Sequence, residues 1–97
     1  MMDIGKLMEQ ARKLQEELQS KLHEMRVEGS AGGEMVKVIL DGTKNLVDIK
    51  ISEEIFQDGD LEMLRDLIIA AFQDASRKVE EESGKLIGSM GLPPGLL

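Results

Sequence analysis

The feature that most constrains this fold is a continuous apolar stripe near the N-terminus. Apolar side chains recur there in steps of three and four, and neither proline nor glycine interrupts residues 6–25. This spacing predicts an amphipathic α-helix about 30 Å long, with Asp3 as its N-cap. The stripe consists of Ile4, Leu7, Met8, Ala11, Leu14, Leu18, Leu22 and Met25. One small sheet cannot cover a stripe of that length, so we expect part of it to face another helix or another chain.

The middle of the chain changes to the two-residue period of β-strands. Residues 36–40 and 46–51 are rich in branched apolar side chains, and Asp41-Gly42 between them is typical of a turn. One face of this pair is predicted to be buried, as in an antiparallel sheet with one wet face. That face consists of Val36, Val38, Leu40, Val47, Ile49 and Ile51. The pattern does not decide whether a third strand forms around Val27.

A second long helix is predicted in the C-terminal half. Residues 52–56 favour a helical turn, and Asp60 is a suitable N-cap for the helix that follows. The apolar stripe of that helix extends to Leu86 and Ile87 and begins with Leu61, Leu64, Leu67, Ile68, Ala71, Phe72, Ala75 and Val79. Residues 1–90 are therefore predicted to form one α+β domain, α-β-β-β-α, or α-β-β-α if Val27 does not pair. Residues 91–97 hold two prolines and two glycines and are predicted to be a flexible tail.

Composition excludes most kinds of chemistry. The 97 residues include no cysteine and one histidine, His23, so a single chain cannot assemble a zinc site from thiolates and imidazoles. No constellation around His23 indicates a nucleophile, and we expect no enzyme, no metal and no cofactor. The longest uncharged apolar run, residues 67–72, is too short to span a membrane. Without a secretory signal pattern, the expected location is the cytoplasm.

The charge distribution singles out the first helix. The chain has a net charge of −7, which by itself does not favour a nucleic-acid partner, yet residues 1–26 are neutral overall. The acidity lies in residues 27–97. Pairs such as Glu9–Lys13 and Glu17–Lys21 stand at ion-pairing distance along a helix, so a salt-bridged, solvated surface is the simpler interpretation from the residues alone.

Three segments in combination resemble the YbaB/EbfC family of nucleoid-associated proteins. They are the glycine-rich stretch 29–38 before the Asp-Gly turn, the second-helix segment 60–75 and the Gly-Leu-Pro-Pro-Gly ending at 91–95. The likeness covers essentially the whole chain. It implies an α-β-β-β-α homodimer with protruding, tweezer-like helical arms, located in the cytoplasm and nucleoid. It also implies binding to double-stranded DNA, a change in the conformation of that DNA, and roles in nucleoid organisation and gene regulation.

Two functional hypotheses follow. On the first, cations of the two helices contact the phosphates of duplex DNA, with little reading of base sequence. The candidate contacts are Lys6, Arg12, Lys13, Lys21, Arg77, Lys78 and Lys85. The alternative is an acidic protein-interaction adaptor whose helices or tail dock a protein partner.

Overall fold

Two long helices flank a small antiparallel sheet in the computed structural model, which describes residues 3–58 and 60–92. The elements in chain order are α1 (Ile4–Glu24), β1 (Val27–Ala31), β2 (Val36–Leu40), β3 (Leu46–Ile51), α2 (Glu54–Asp58) and α3 (Leu61–Ser89). The α-β-β-β-α prediction is confirmed, with α2 as the short helical turn between sheet and second helix. The strand at Val27 does pair, which settles the open alternative in favour of three strands.

Both predicted N-caps are present. The carboxylate of Asp3 accepts hydrogen bonds from the backbone N–H groups of Gly5 (3.0 Å) and Lys6 (3.4 Å). The carboxylate of Asp60 accepts one from the N–H of Met63 at 3.1 Å. Each cap satisfies donors that the first turn of a helix leaves without a partner, so each helix begins where its sequence predicts.

The core lies between α3 and the first two strands of the sheet, whose order is β1-β2-β3. Val36, Val38 and Leu40 of β2 are fully buried. They pack together with Ala71 and other α3 residues spaced four apart. Small side chains at this spacing let α3 approach the sheet closely, so α3 covers the core.

The predicted buried face is correct for β2 and wrong for most of β3. Val47 and Ile51 are exposed, and Ile49 is half-buried, because α3 packs against β1 and β2 and leaves β3 at an open edge. A register shift adds to this difference. Leu46, rather than Val47, is the partner of Leu40, since an irregularity interrupts the pairing next to Ile39. Simple two-residue alternation does not anticipate such a bulge.

The turn between β2 and β3 fastens the end of α1 to the sheet. The carboxylate of Asp41 accepts hydrogen bonds from the N–H of Thr43 (2.8 Å), the hydroxyl of Thr43 (2.6 Å) and the N–H of Asn45 (3.0 Å). The next residue, Gly42, donates its N–H to the carbonyl of Leu22 at 2.8 Å. The direction in which α1 leaves the body therefore depends on this turn.

This turn predicts an acid-sensitive contribution to stability. The hydrogen bond from the Thr43 hydroxyl, followed by the N–H groups of Asn45 and Thr43, holds the pKa of Asp41 below its ordinary value, against the opposing effect of burial. Because the pKa is lower in the folded chain, ionised Asp41 stabilises the fold at neutral pH, and this contribution is lost as the pH falls below about 4. Urea denaturation at pH 6, 4.5 and 3 should show a smaller decline for Asp41→Asn than for the wild type. Equal declines would contradict the assignment.

The molecule is strongly elongated, measuring 70 × 18 × 17 Å. Leu18 and Leu22 of α1 pack against Ile87 of α3, with Leu92 at the edge of the same cluster. Residues 93–97 of the predicted flexible tail lie outside the described residues. Among residues 3–58 and 60–92, no helix combines the length and apolar composition that crossing a membrane requires.

Candidate nucleic-acid interface

The most prominent surface is the outer part of α1, residues 4–17, which we call the arm. Every side chain of the arm is exposed except that of Leu14, which is half-buried. The buried residues of α1, Leu18 and Leu22, come only after it. At ~1.5 Å per residue, the arm extends about 20 Å beyond the packed part of the helix. Both faces of the arm are therefore open to a partner.

One face of the arm presents two cations that carry no ion pair. Lys6 and Lys13 are exposed, and no carboxylate among the described residues lies within 4.0 Å of either ammonium group. They are seven residues apart, so they lie on one side of the helix, about 10 Å from each other. The apolar positions Ile4 and Ala11 lie roughly 160° away around the axis. The arm is thus charged on one side, where cations and carboxylates alternate, and apolar on the other.

The other predicted cations of α1 are paired. Arg12 bridges two carboxylates, Glu9 at 2.9 Å and Glu16 at 2.7 Å, and Lys21 pairs with Glu17 at 3.2 Å. The predicted Glu17–Lys21 pair is present, whereas the predicted Glu9–Lys13 pair is wrong because Arg12 takes Glu9. These ion pairs are exposed and weak, so a phosphate can displace the carboxylates from the cations. Breaking the pairs costs some free energy, and binding through Lys6 and Lys13 does not require it.

The candidate cations of α3 are also engaged. The carboxylate of Asp74 forms ion pairs with Arg77 (2.6 Å) and Lys78 (3.0 Å), and it accepts a further hydrogen bond from the N–H of Ser30 at 3.0 Å. The Ser30 N–H, then Lys78 and Arg77, lower the pKa of Asp74, so it stays ionised near neutral pH. Lys85 pairs with Glu82 at 3.3 Å. Of the seven predicted cations, four lie along α1 and three along α3.

A second feature, an apolar groove of about 410 Å³, runs between the open edge of the sheet and α3. Its walls are Val38, Leu46, Ile49, Ile68, Ile69 and Phe72, and Gln73 is the polar residue of its lining. Phe72 is 41% exposed and Leu46 is 53% exposed. Large apolar side chains gathered in this way on a surface mark a site of association more often than they mark plain surface.

Sequence reasoning missed this groove, although a signal for it was present. Residues 67–72 are apolar all around the helix, whereas a helix that covers one sheet face needs an apolar stripe only. The apolar residues beyond that stripe predict that this segment contacts a second surface as well as the sheet.

Sequence reasoning also passed over Lys50, which lies opposite Lys37 across the β2–β3 pair and has no carboxylate within 4.0 Å in the described part of the chain. Two like charges at directly opposed strand positions repel each other, and this unfavourable pairing is the signal by which Lys50 could have been found.

Within residues 3–58 and 60–92, no group of three or more His, Cys, Asp or Glu side chains is placed to hold a metal ion. His23 Nδ1 lies 3.9 Å from a carboxylate oxygen of Asp41, which belongs to the turn that fastens the end of α1 to the sheet. The features that reach outward are cations on a projecting helix and an apolar groove.

Comparison with known proteins gives one consistent result. The model of the YbaB/EbfC DNA-binding family matches residues 1–92. A nucleoid-associated protein of Xylella fastidiosa strain Temecula1 is 50% identical over 100 residues, covering 96% of this chain and 92% of the relative. One from Xanthomonas campestris pv. campestris strain B100 is 46% identical over 101 residues, covering 97% and 93%. The crystal structure of an uncharacterized protein from Helicobacter pylori superposes with a TM-score of 0.74 at 28% identity, covering 93% of this chain and 98% of that one.

Proposed function

Since the chain belongs to the YbaB/EbfC DNA-binding family, we propose that it is a nucleoid-associated protein that binds duplex DNA as a homodimer. Binding alters the conformation of the DNA and serves nucleoid organisation and gene regulation. The protein acts in the cytoplasm, at the nucleoid, and has no catalytic role.

The observation that carries this proposal is the pair of unpaired cations on the arm. Lys6 and Lys13 meet phosphates without first breaking an ion pair, and each contact releases a counterion from the DNA. The rest of the chain is acidic, which repels the duplex from the body and leaves the arm as the favoured side of approach. Nothing on the arm resembles a base-reading arrangement, so backbone and shape recognition with little sequence preference follows.

The homodimer is supported by the apolar groove. A small domain that exposes Ile69, Phe72 and Leu46 together gains stability by covering them, and a second copy with the same groove offers a matching apolar surface. Two copies present two arms, which doubles the number of phosphate contacts. In this proposal the groove holds the homodimer together and the arms hold the DNA.

The test is fluorescence anisotropy of a labelled duplex of mixed sequence, titrated with the protein at several salt concentrations. Wild-type affinity should fall steeply with salt. Lys13→Glu should weaken binding on the order of tenfold on every sequence and reduce the log–log salt slope by about 2 per homodimer, one for each chain. Arg65→Glu is the matched control, because it makes the same change of charge at an exposed residue of α3 far from the arm.

The two variants separate a local contact from a general charge effect. Equal losses for Lys13→Glu and Arg65→Glu would show that only the net charge matters and would contradict the arm as the contact surface. A titration that stays flat at all salt concentrations would contradict DNA binding altogether and would favour the adaptor hypothesis.

A further inference from the structure

The open edge of β3 carries backbone groups that no other strand of the chain pairs. The N–H of Ser52 donates to the carbonyl of Met35 and so continues the pairing of β3 with β2. In an antiparallel pair, alternate residues direct their backbone groups toward the neighbouring strand and the residues between direct theirs outward. Ile49 is one of the outward residues, and its N–H is bonded by the carboxylate of Asp48 at 2.8 Å. Such an edge is a template for another strand.

Two charged side chains of this strand lie on the sheet face opposite to the core. Asp48 and Lys50 are both exposed, and within the described ranges neither has an opposite charge within 4.0 Å. Lys50 lies instead against the like charge of Lys37. A surface that satisfies both residues presents a carboxylate opposite Lys50 and an ammonium group opposite Asp48.

The same strand in a second copy is such a surface. When two identical antiparallel strands pair about a two-fold axis, one residue lies opposite its own counterpart, and its neighbours on either side lie opposite each other. A register centred on Asp48 or on Lys50 sets like charges against each other. A register centred on Ile49 sets Asp48 of each copy against Lys50 of the other, twice. It also brings the outward backbone groups of the two Ile49 residues together.

We propose that β3 pairs antiparallel with β3 of a second copy, with Ile49 opposite Ile49, so that the homodimer contains one six-stranded sheet. The inference rests on the proposed function and specifies how its homodimer is held. On pairing, the N–H of Ile49 donates to the carbonyl of Ile49 in the other copy. The carboxylate of Asp48 is released from that N–H and pairs with Lys50 of the other copy.

The apolar groove is continuous with this edge. It lies between β3 and α3, with Leu46 and Ile49 on the strand side and Ile69 and Phe72 on the helix side. The two-fold axis of an antiparallel strand pair is perpendicular to the sheet, so the α3 helices of both copies lie on the same face. Joining at β3 therefore brings the two grooves side by side, and their apolar walls cover each other. Two short strands alone would bury little surface, and the grooves supply the rest.

The experiment is a charge swap measured by sedimentation equilibrium in the absence of DNA. Lys50→Asp sets two carboxylates opposite each other at both ion-pair positions and should raise the dissociation constant on the order of tenfold. The double variant Asp48→Lys, Lys50→Asp places opposite charges there again in reversed order, keeps the net charge and should restore most of the lost affinity. Lys85→Asp is the matched control, because it makes the same change of charge at an exposed residue near the C-terminal end of α3.

A cysteine cross-link tests the register independently. The chain contains no cysteine, so Ile49→Cys introduces a single thiol per copy. In the proposed register the two Cα atoms at this position are about 5.5 Å apart, within the range of a disulfide, and mild oxidation should yield a covalent dimer. Lys37→Cys on β2 should stay unlinked, because two β3 strands separate the two copies of β2 by about 14 Å.

Failure of the inference and failure of the proposed function are distinguishable. Equal losses for Lys50→Asp and Lys85→Asp, or no recovery in the double variant, overturn the inference while a homodimer held by the groove stands. An Ile49→Cys homodimer that stays unlinked after oxidation also overturns it. A wild type that sediments as a monomer overturns the homodimer of the proposed function and this inference together, and the anisotropy titration then judges DNA binding separately.

Discussion

Gly29→Ala is expected to destabilise the protein by about 3 kcal/mol or more, a large part of the total stability of a small domain. A Cβ atom at this position of β1 would lie 2.2 Å from the backbone nitrogen of Ala75 and 2.5 Å from the carbonyl oxygen of Ala71. Backbone atoms cannot rotate away as a flexible side chain can, so α3 must move off the sheet and open the core. Urea denaturation followed by circular dichroism measures the loss.

Gly84→Ala is the matched control for Gly29→Ala. Gly84 lies inside α3, and a Cβ there meets nothing within 4 Å in the described structure. The same substitution should therefore raise the free energy of unfolding by about 0.8–1 kcal/mol, because alanine favours the helix over glycine. If Gly29→Ala changed stability by less than about 0.5 kcal/mol, the close approach of α3 to β1 would be disproved.

Phe72→Asp is expected to convert the proposed homodimer to monomers, raising the dissociation constant about a hundredfold or more. Phe72 is 41% exposed at the groove, so the isolated chain tolerates the change. A second copy seated on the groove would have to bury an unpaired carboxylate among apolar side chains, which is strongly unfavourable. Sedimentation equilibrium over a range of protein concentrations measures the effect.

Leu61→Asp provides the comparison for Phe72→Asp. It introduces the same charge at an exposed apolar residue of the same helix but outside the groove, and it should leave self-association unchanged. Monomeric Phe72→Asp should also bind duplex DNA more weakly than the wild type, since one arm remains where two acted together. A Phe72→Asp protein that sediments as the wild type does would contradict the groove as the dimer surface.

Several features of the fold were predictable because they depend on neighbouring residues. The stripe from Ile4 to Leu22 predicts α1, and the carboxylates of Asp3 and Asp60 predict where the two long helices begin. The turn at Asp41-Gly42 depends on side-chain hydrogen bonds that span only four residues. Interactions over so few residues are largely independent of the rest of the molecule.

The candidate interface was predictable only in part. The first helix and all its cations follow from the sequence, but which cations are free does not. Arg12 and Lys13 both lie within reach of Glu9, and the longer, forked guanidinium takes Glu9 and Glu16 together. Lys13 is left without a partner among the described residues by that competition. Spacing along the helix allows both pairings, and the predicted one, Glu9–Lys13, is the one that the described structure lacks.

The sequence by itself determined the two long helices and their starts, the strands at 36–40 and 46–51 and the acidic balance, because periodicity and capping act within a few residues. Only the tertiary structure decided that α3 lies on β1 and β2 and leaves β3 at an open edge, since that depends on where Gly29 and Ala75 admit close packing. The same packing places the end of α1 that contains Leu18 and Leu22 against α3. The bare arm and the open groove follow from these two contacts, because a surface is exposed only where no distant part of the chain covers it.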